Sequence, residues 1–297
     1  MAKALEKRAV LIAGPTASGK SALALERARA ADGVVINTDA MQVYDVLRVL
    51  TARPSEHEMG GVPHHLYGFA PPSVRYSTGQ WLRAVAALLP QLEGRTPIFA
   101  GGTGLYFDAL TRGFAEVPEV PAELVREAEA ELVGLDRAGR ARLIAERDPQ
   151  TARLLKAPDP QRVARALAVL KATGRPLASF QAGAQRGLLE GYDLERIVLN
   201  PDVAVLRERI ARRFGGMFEN GAVEEVKALL ALRLDPTLPA MKAIGVREIA
   251  DWLEGRLSRD EAVERAVVAT RQYAKRQRTW FRNRMADWTW IDPLSGP

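Results

Sequence analysis

Apolar residues run together from Ala9 to Ala13 and stop at Gly14, and an alanine- and leucine-rich segment from Ser21 to Ala30 follows. A short apolar run closed by glycine and continued by a helical stretch predicts a strand, a turn and a helix. The strand pattern returns at Val34 to Asn37, at Pro97 to Ala100 after an amphipathic helical stretch from Thr78 to Leu92, and at Arg196 to Leu199. Strands separated by helices predict an α/β fold, a parallel sheet flanked by helices on both faces, with ligands gathered at the carboxyl ends of the strands. Loops 14–21, 38–42 and 101–104 then meet at one edge.

The pattern changes between Pro118 and Ala184, where helical segments rich in Ala, Leu, Arg and Glu are punctuated by Pro118, Pro121, Pro158 and Pro160. This predicts a helical insertion domain, 118–184, set into a core made of 1–117 and 185–297. From Asp202 onward the chain reads as mostly helical, with breaks near Gly215, Gly221, Pro236, Gly245 and Gly255.

Composition narrows the chemistry. The 297 residues are 47% apolar, enough for a sizeable core. With no cysteine, disulfides, thiolate nucleophiles and cysteine-held zinc are excluded together, so catalysis falls to carboxylates, hydroxyls, amines or bound cations. The charged stretch Met1 to Arg8 is unlike a signal peptide, and no segment approaches the roughly 20 apolar residues of a membrane helix. A cytoplasmic monomer is expected, with no membrane partner. A net charge of +6 favours a polyanionic partner such as nucleic acid.

Gly14-Pro15-Thr16-Ala17-Ser18-Gly19-Lys20-Ser21 matches G-x-x-x-x-G-K-[ST] and sits between the expected strand and helix, as a P-loop must. In such a loop successive N–H groups face an anion, the helix start adds positive potential, the lysine supplies a point charge, and the serine hydroxyl is available to Mg2+. The sheet is therefore expected to be P-loop NTPase-like. The motif specifies a polyphosphate but not which one, and an ATP-binding small-molecule kinase or a nucleic-acid-binding NTPase also fits it. Against these, Pro97 to Ala100 runs into Gly101-Gly102-Thr103-Gly104, where a metal-holding aspartate would be expected.

Asp39 follows the second strand and should open on the same edge as Lys20, either as a base or as the cap of a turn. Thr103 on the neighbouring loop can hydrogen-bond that carboxylate or an incoming amine, and Gln42 can read a base edge.

Taken together these pieces resemble the tRNA dimethylallyltransferases, also called tRNA isopentenyltransferases. The likeness spans nearly the whole chain: GPTASGKS at 14–21, DAMQVY at 39–44, TARP at 51–54, PHHL at 63–66, GGTGLYF at 101–107, DPQRVARAL at 159–167, KAIG at 242–245 and TRQYAKRQRTWFR at 270–282. It implies attack by the N6 amine of the adenosine just 3′ of the anticodon on the allylic carbon of dimethylallyl diphosphate. Asp39 would be the general base and Thr103 its support. Gly14, Pro15, Thr16, Ala17, Ser18, Gly19, Lys20 and Ser21 would hold the diphosphate with Mg2+ on Ser21, and Arg271 would add a second diphosphate contact. Asp39, Ala40, Met41, Gln42, Thr103, Arg126, Gln161, Arg162, Val163, Ala164 and Arg165 would face the tRNA.

The chemistry agrees with these roles. The lone pair of an adenine amine is delocalised into the ring, so losing its proton as the bond forms calls for a positioned carboxylate. Diphosphate leaves as concentrated negative charge, which a cationic cradle stabilises. The chain departs from many members at Ala40, where serine is common, and at Arg53, where lysine is. Arg265 to Arg284 carries seven basic residues and no acidic one, with Tyr273, Trp280 and Phe281 among them, as a helix tracking a phosphate backbone would. His57, His64 and His65 are too few for a metal site and read as structural, and Trp252, Trp280, Trp288 and Trp290 as core or interface residues.

Overall fold

A computed structural model describes residues 7–155, 157–183 and 186–293. The chain forms two compact units, Met1–Arg112 with Gly187–Pro297, and Gly113–Arg186. The expected boundary at residues 184 and 185 lies outside the described residues.

The first unit opens with β1 (Arg8–Ala13), α1 (Lys20–Ala30), β2 (Gly33–Asn37), α2 (Glu56–Met59), β3 (His64–His65), α3 (Thr78–Leu88), β4 (Thr96–Gly101) and α4 (Gly104–Arg112). The second unit is helical: α5 (Ala122–Ala130), α6 (Arg137–Arg147), α7 (Pro149–Leu154), α8 (Pro160–Thr173) and α9 (Leu177–Gln181). The first unit resumes with β5 (Asp193–Leu199), α10 (Val203–Glu219), α11 (Ala222–Ala231), α12 (Val246–Leu253), α13 (Arg259–Arg284) and β6 (Thr289–Ile291).

All strands pair in parallel, in the order β3-β2-β4-β1-β5-β6. Side chains alternate between faces along a strand, and this divides the core in two. Leu11, Ile36, Phe99 and Val198 face the cluster under α10 to α13, whereas Val10, Ile12, Val35, Ile98 and Ile197 face Ala24 and Ala28 of α1. A sheet covered on both faces needs continuous apolar strands, which is why β1, β2 and β4 are legible in the sequence. The edge strand β6 is not: it has three residues, too few for any alternation to register.

Helix ends are set by local chemistry. Ser77 with Gln80 opens α3 and Ser258 with Glu261 opens α13 as capping boxes. At 26 residues α13 spans about 39 Å, and its small residues Ala262, Ala266 and Ala274 are buried in its packing against α10 and α12. The second unit has its own core, with Ala128, Ile144, Val163 and Leu167 at its centre.

Candidate active site

The loop after β1 is wound as an anion cradle. Ala17 and Gly19 take positive φ (63° and 94°), so the backbone reverses hand twice and forms the concavity called a nest. Gly14 is glycine for want of room, since a Cβ there would stand 2.7 Å from Ser18 Oγ. The buried Ser18 hydroxyl finds no protein partner. Lys20 Nζ donates to the Pro15 carbonyl at 2.8 Å, across the mouth of its own loop. Burial lowers the Lys20 ammonium to about 8; the Asp39 charge opposes that effect and Arg213 adds to it.

Asp39 is held by its neighbours rather than by chance. The buried Asn37 accepts the Asp39 N–H at 2.8 Å and donates through Nδ2 to the Asp39 carbonyl at 3.0 Å. Trp81 in turn donates its indole N–H to the Asn37 carbonyl. One carboxylate oxygen of Asp39 accepts the Met41 N–H at 2.9 Å, an Asx turn. Thr103 Oγ1 accepts the Ala40 N–H at 2.9 Å, so it steadies the backbone beside Asp39 and makes no bond to the carboxylate. Gln42 donates to the Thr51 and Ala52 carbonyls, which leaves only its carbonyl oxygen for a base edge. Glu225 fixes the preceding stretch by accepting the N–H groups of Arg48, Val49 and Leu50. Arg53, one of the departures noted above, braces the same turn through the Tyr44 and Asp45 carbonyls.

The glycines of loop 101–104 are explained by space, each by a different neighbour. A Cβ on Gly101 would collide with the Thr38 carbonyl, on Gly102 with the Gln277 carboxamide, and on Gly104 with the Trp280 indole. The basic helix α13 thus presses Gln277 and Trp280 onto this loop.

A cleft of about 960 Å³ results, lined by Thr16 to Ser21, Asp39 to Gln42 and Gly101 to Gly104, with a far wall from α10 and α13. Tyr67 enters the cleft from the segment after β3, and the far wall brings in Arg213, Arg276 and Gln277, which the sequence reading missed, beside Tyr273. Helical periodicity marks them only as a polar face, and no local motif separates a cleft wall from a solvated surface. Desolvation lowers Arg213, with Glu58 and Asp39 opposing. Burial, with the Asp39 charge, raises the Tyr67 and Tyr273 phenols, which stay neutral. Arg271 is exposed and lies outside the cleft lining, whereas Arg276 lies within it. Gly14 and Pro15 shape the cradle from behind and do not line it.

In the second unit, Arg126 on α5 and Gln161, Arg162 and Arg165 on α8 are exposed, and none of these arginines joins an ion pair among the described residues. Val163 and Ala164 require a correction. Both are buried in that unit's own core, because they lie on the opposite side of α8 from Arg162 and Arg165, and they have no surface to offer an RNA.

For magnesium, no group of three His, Cys, Asp or Glu side chains capable of holding a metal exists among the described residues. The donor set fits the ion nonetheless. Mg2+ keeps several waters and is commonly bound by substrate phosphates with one or two protein oxygens, and the Ser21 hydroxyl and the Asp39 carboxylate both line the cleft.

The IPP transferase family model matches residues 42–284, and an isopentenyl transferase model matches residues 7–67. The chain belongs to the IPP transferase family. It is 54% identical over 291 residues to the tRNA dimethylallyltransferase of Agrobacterium fabrum, covering 96% of this chain and 97% of that one. With the tRNA dimethylallyltransferase of Rhizobium meliloti it shares 52% over 284 residues, 95% of this chain and 93% of the relative. Among solved structures, the full-length tRNA isopentenylpyrophosphate transferase of Bacillus halodurans superposes with a TM-score of 0.67 at 33% identity, over 96% of this chain and 90% of that one. A eukaryotic dimethylallyltransferase acting on tRNA gives a TM-score of 0.79 at 27% identity, over 96% and 74%. The P-loop-like sheet is thus shared across the IPP transferase family members compared.

Proposed function

We propose that this family member transfers the dimethylallyl group of dimethylallyl diphosphate to N6 of the adenosine 3′-adjacent to the anticodon of tRNA. The enzyme is a prenyltransferase acting on tRNA, as its relatives are named. The observation that carries the finer reading is the sharing of one cleft by a diphosphate-type cradle and the braced carboxylate of Asp39.

In this reading the cradle N–H groups and Lys20 hold the diphosphate, and Arg213 adds charge from the far wall. Asp39 takes the N6 proton as nitrogen bonds to the allylic carbon and the carbon–oxygen bond to diphosphate breaks. Thr103 keeps the Asp39 loop in place and has a second hydroxyl lone pair with which to accept an N–H of the incoming amine. Mg2+, held by Ser21 and the diphosphate oxygens, would neutralise charge growing on the leaving group. The flipped adenine meets Gln42 through its free carbonyl oxygen, and Arg126, Gln161, Arg162 and Arg165 contact the tRNA backbone. Because one chain supplies the whole cleft, a monomer suffices, and we place it in the cytoplasm. No helix among the described residues is long and apolar enough to cross a membrane.

Incubation with radiolabelled dimethylallyl diphosphate, unmodified tRNA and Mg2+ should label the RNA. Phosphate release from ATP with no labelled RNA would favour a P-loop kinase or an RNA-binding NTPase instead.

A further inference from the structure

Two sides of the cleft must cooperate in the reaction proposed above. The cradle holds the leaving group, and the loops bearing Asp39 and Thr103 hold the nucleophile. Displacement at the allylic carbon requires nitrogen, carbon and departing oxygen to be aligned, so the spacing between these loops matters as much as either alone. Among the described residues, a single side chain hydrogen-bonds to both: Gln277 of α13 accepts the Thr16 N–H at 3.0 Å and donates through Nε2 to the Gly102 carbonyl at 2.9 Å.

Gln277 is 5% exposed, the one polar residue of α13 to be buried. Its carboxamide lies where a Cβ on Gly102 would be, and that Cβ position is 3.3 Å from Asp39 Oδ2. Gly102 therefore leaves room for a planar amide wedged beside the carboxylate. The amide matches its site, because one end must accept and the other donate, and both of its ends are used. A glutamate lacks the donor and an apolar residue lacks both.

We infer that Gln277 is a positioning residue that sets the distance between the diphosphate cradle and the loop carrying the nucleophile, and so aligns the displacement without touching either substrate. The inference rests on the prenyl-transfer reading. It predicts a loss in the chemical step without a matching loss in binding, and a gain of misdirected reaction. When the amine is out of line, water can attack the allylic carbon, giving dimethylallyl alcohol and diphosphate.

Gln277→Met keeps the volume and removes both hydrogen bonds, and Gln277→Asn keeps the amide but shortens its reach. Both variants would be compared with the wild-type enzyme for single-turnover rate per active site, for inorganic diphosphate affinity, and for the ratio of diphosphate released to RNA labelled. The rate should fall about 10²-fold in Gln277→Met, the usual cost of a misplacement near 1 Å, while diphosphate affinity changes by less than about threefold. The release ratio should rise above that of the wild type. If the Met variant fails to fold, the Asn variant carries the same expectations. A variant with reduced thermal stability but wild-type rate per active site and wild-type ratio overturns the inference, since that is what a merely structural residue gives. So does a loss of diphosphate affinity as large as the loss of rate. A wild-type enzyme that labels no RNA refutes the prenyl-transfer reading, a separate failure.

Discussion

Asn37 grips the backbone of Asp39 from both sides, accepting its N–H at 2.8 Å and donating to its carbonyl at 3.0 Å. Its Nδ2 also reaches the Leu66 carbonyl at 2.9 Å, so one buried amide joins the Asp39 loop to the segment after β3. Asn37→Ala should lower kcat by about 10-fold to 10²-fold through misplacement of the carboxylate. It should also cost about 1–3 kcal/mol of stability, because buried polar partners are left unpaired. Single-turnover assays beside urea melts separate the two effects, and unchanged turnover in a destabilised variant would make Asn37 a fold residue only.

Asp39→Ala should cut turnover by about 10² to 10⁴, the worth of a general base, with tRNA affinity changing much less. Near-normal single-turnover prenylation would remove Asp39 from the mechanism.

Thr103→Ala should be milder, because the Thr103 hydroxyl accepts one backbone N–H and a neutral hydrogen bond contributes about 1 kcal/mol. Thr103→Ser keeps the acceptor and should restore most of the rate. Equal losses in Thr103→Ala and Asp39→Ala would reverse this ranking.

These roles show where the sequence was transparent. The cradle, β1, β2, β4 and β5 were legible because a buried parallel strand and a phosphate loop each impose a local rule on consecutive residues. Asp39 and Thr103 were legible as neighbours at one sheet edge, where both line the cleft, but their bonds were not. Which atom Thr103 holds depends on the approach of β2 and β4, and the close packing of Gly101 on Thr38 that fixes this approach joins residues far apart in the chain. Gln277 and Arg213 were hidden for the same reason, as polar positions on long helices whose buried direction is decided by tertiary packing. Val163 and Ala164 erred the other way: a contiguous motif was read as a contiguous surface, whereas a helix of 3.6 residues per turn carries these two consecutive members inward and leaves Arg162 and Arg165 outside.

Lys20 gives a pH signature. Its ammonium titrates near 8 in the ligand-free enzyme instead of its ordinary 10.5. Bound diphosphate favours the charged form, so binding should take up a proton above pH 8. On this account affinity for inorganic diphosphate should fall by up to about tenfold per pH unit above 8. Between 8 and 10.5 the unfolded chain holds this proton more tightly, so ligand-free stability should gain from Lys20 as pH rises through that window. Calorimetry in buffers of different ionisation enthalpy measures the proton uptake. Lys20→Arg, charged throughout, should lose the break near 8, and its persistence there would assign it to another group.

Arg162→Ala with Arg165→Ala should weaken tRNA binding and flatten the slope of log K against log salt by about 0.7 to 0.9 for each phosphate no longer neutralised. Donor kinetics at saturating tRNA should hardly respond. An unchanged slope in filter-binding titrations would make these arginines an ordinary helix surface and move the RNA footprint to α13.

The chain leaves the first unit at Arg112 and rejoins it at Gly187. The seam is tight: a Cβ on Gly187 would collide with the Thr111 carbonyl, and the Leu189 N–H donates to the Leu110 carbonyl at 3.1 Å. Exit and re-entry therefore share one spot on the first unit, and the segment between them folds around its own core. Such a module can lengthen, shrink or be exchanged for a relative's without a new register in the sheet or a new stem for α4 and β5. Descent can then revise the proposed RNA-reading half while the chemistry is inherited intact, and a chimera that swaps residues 113–186 has a natural pair of splice points.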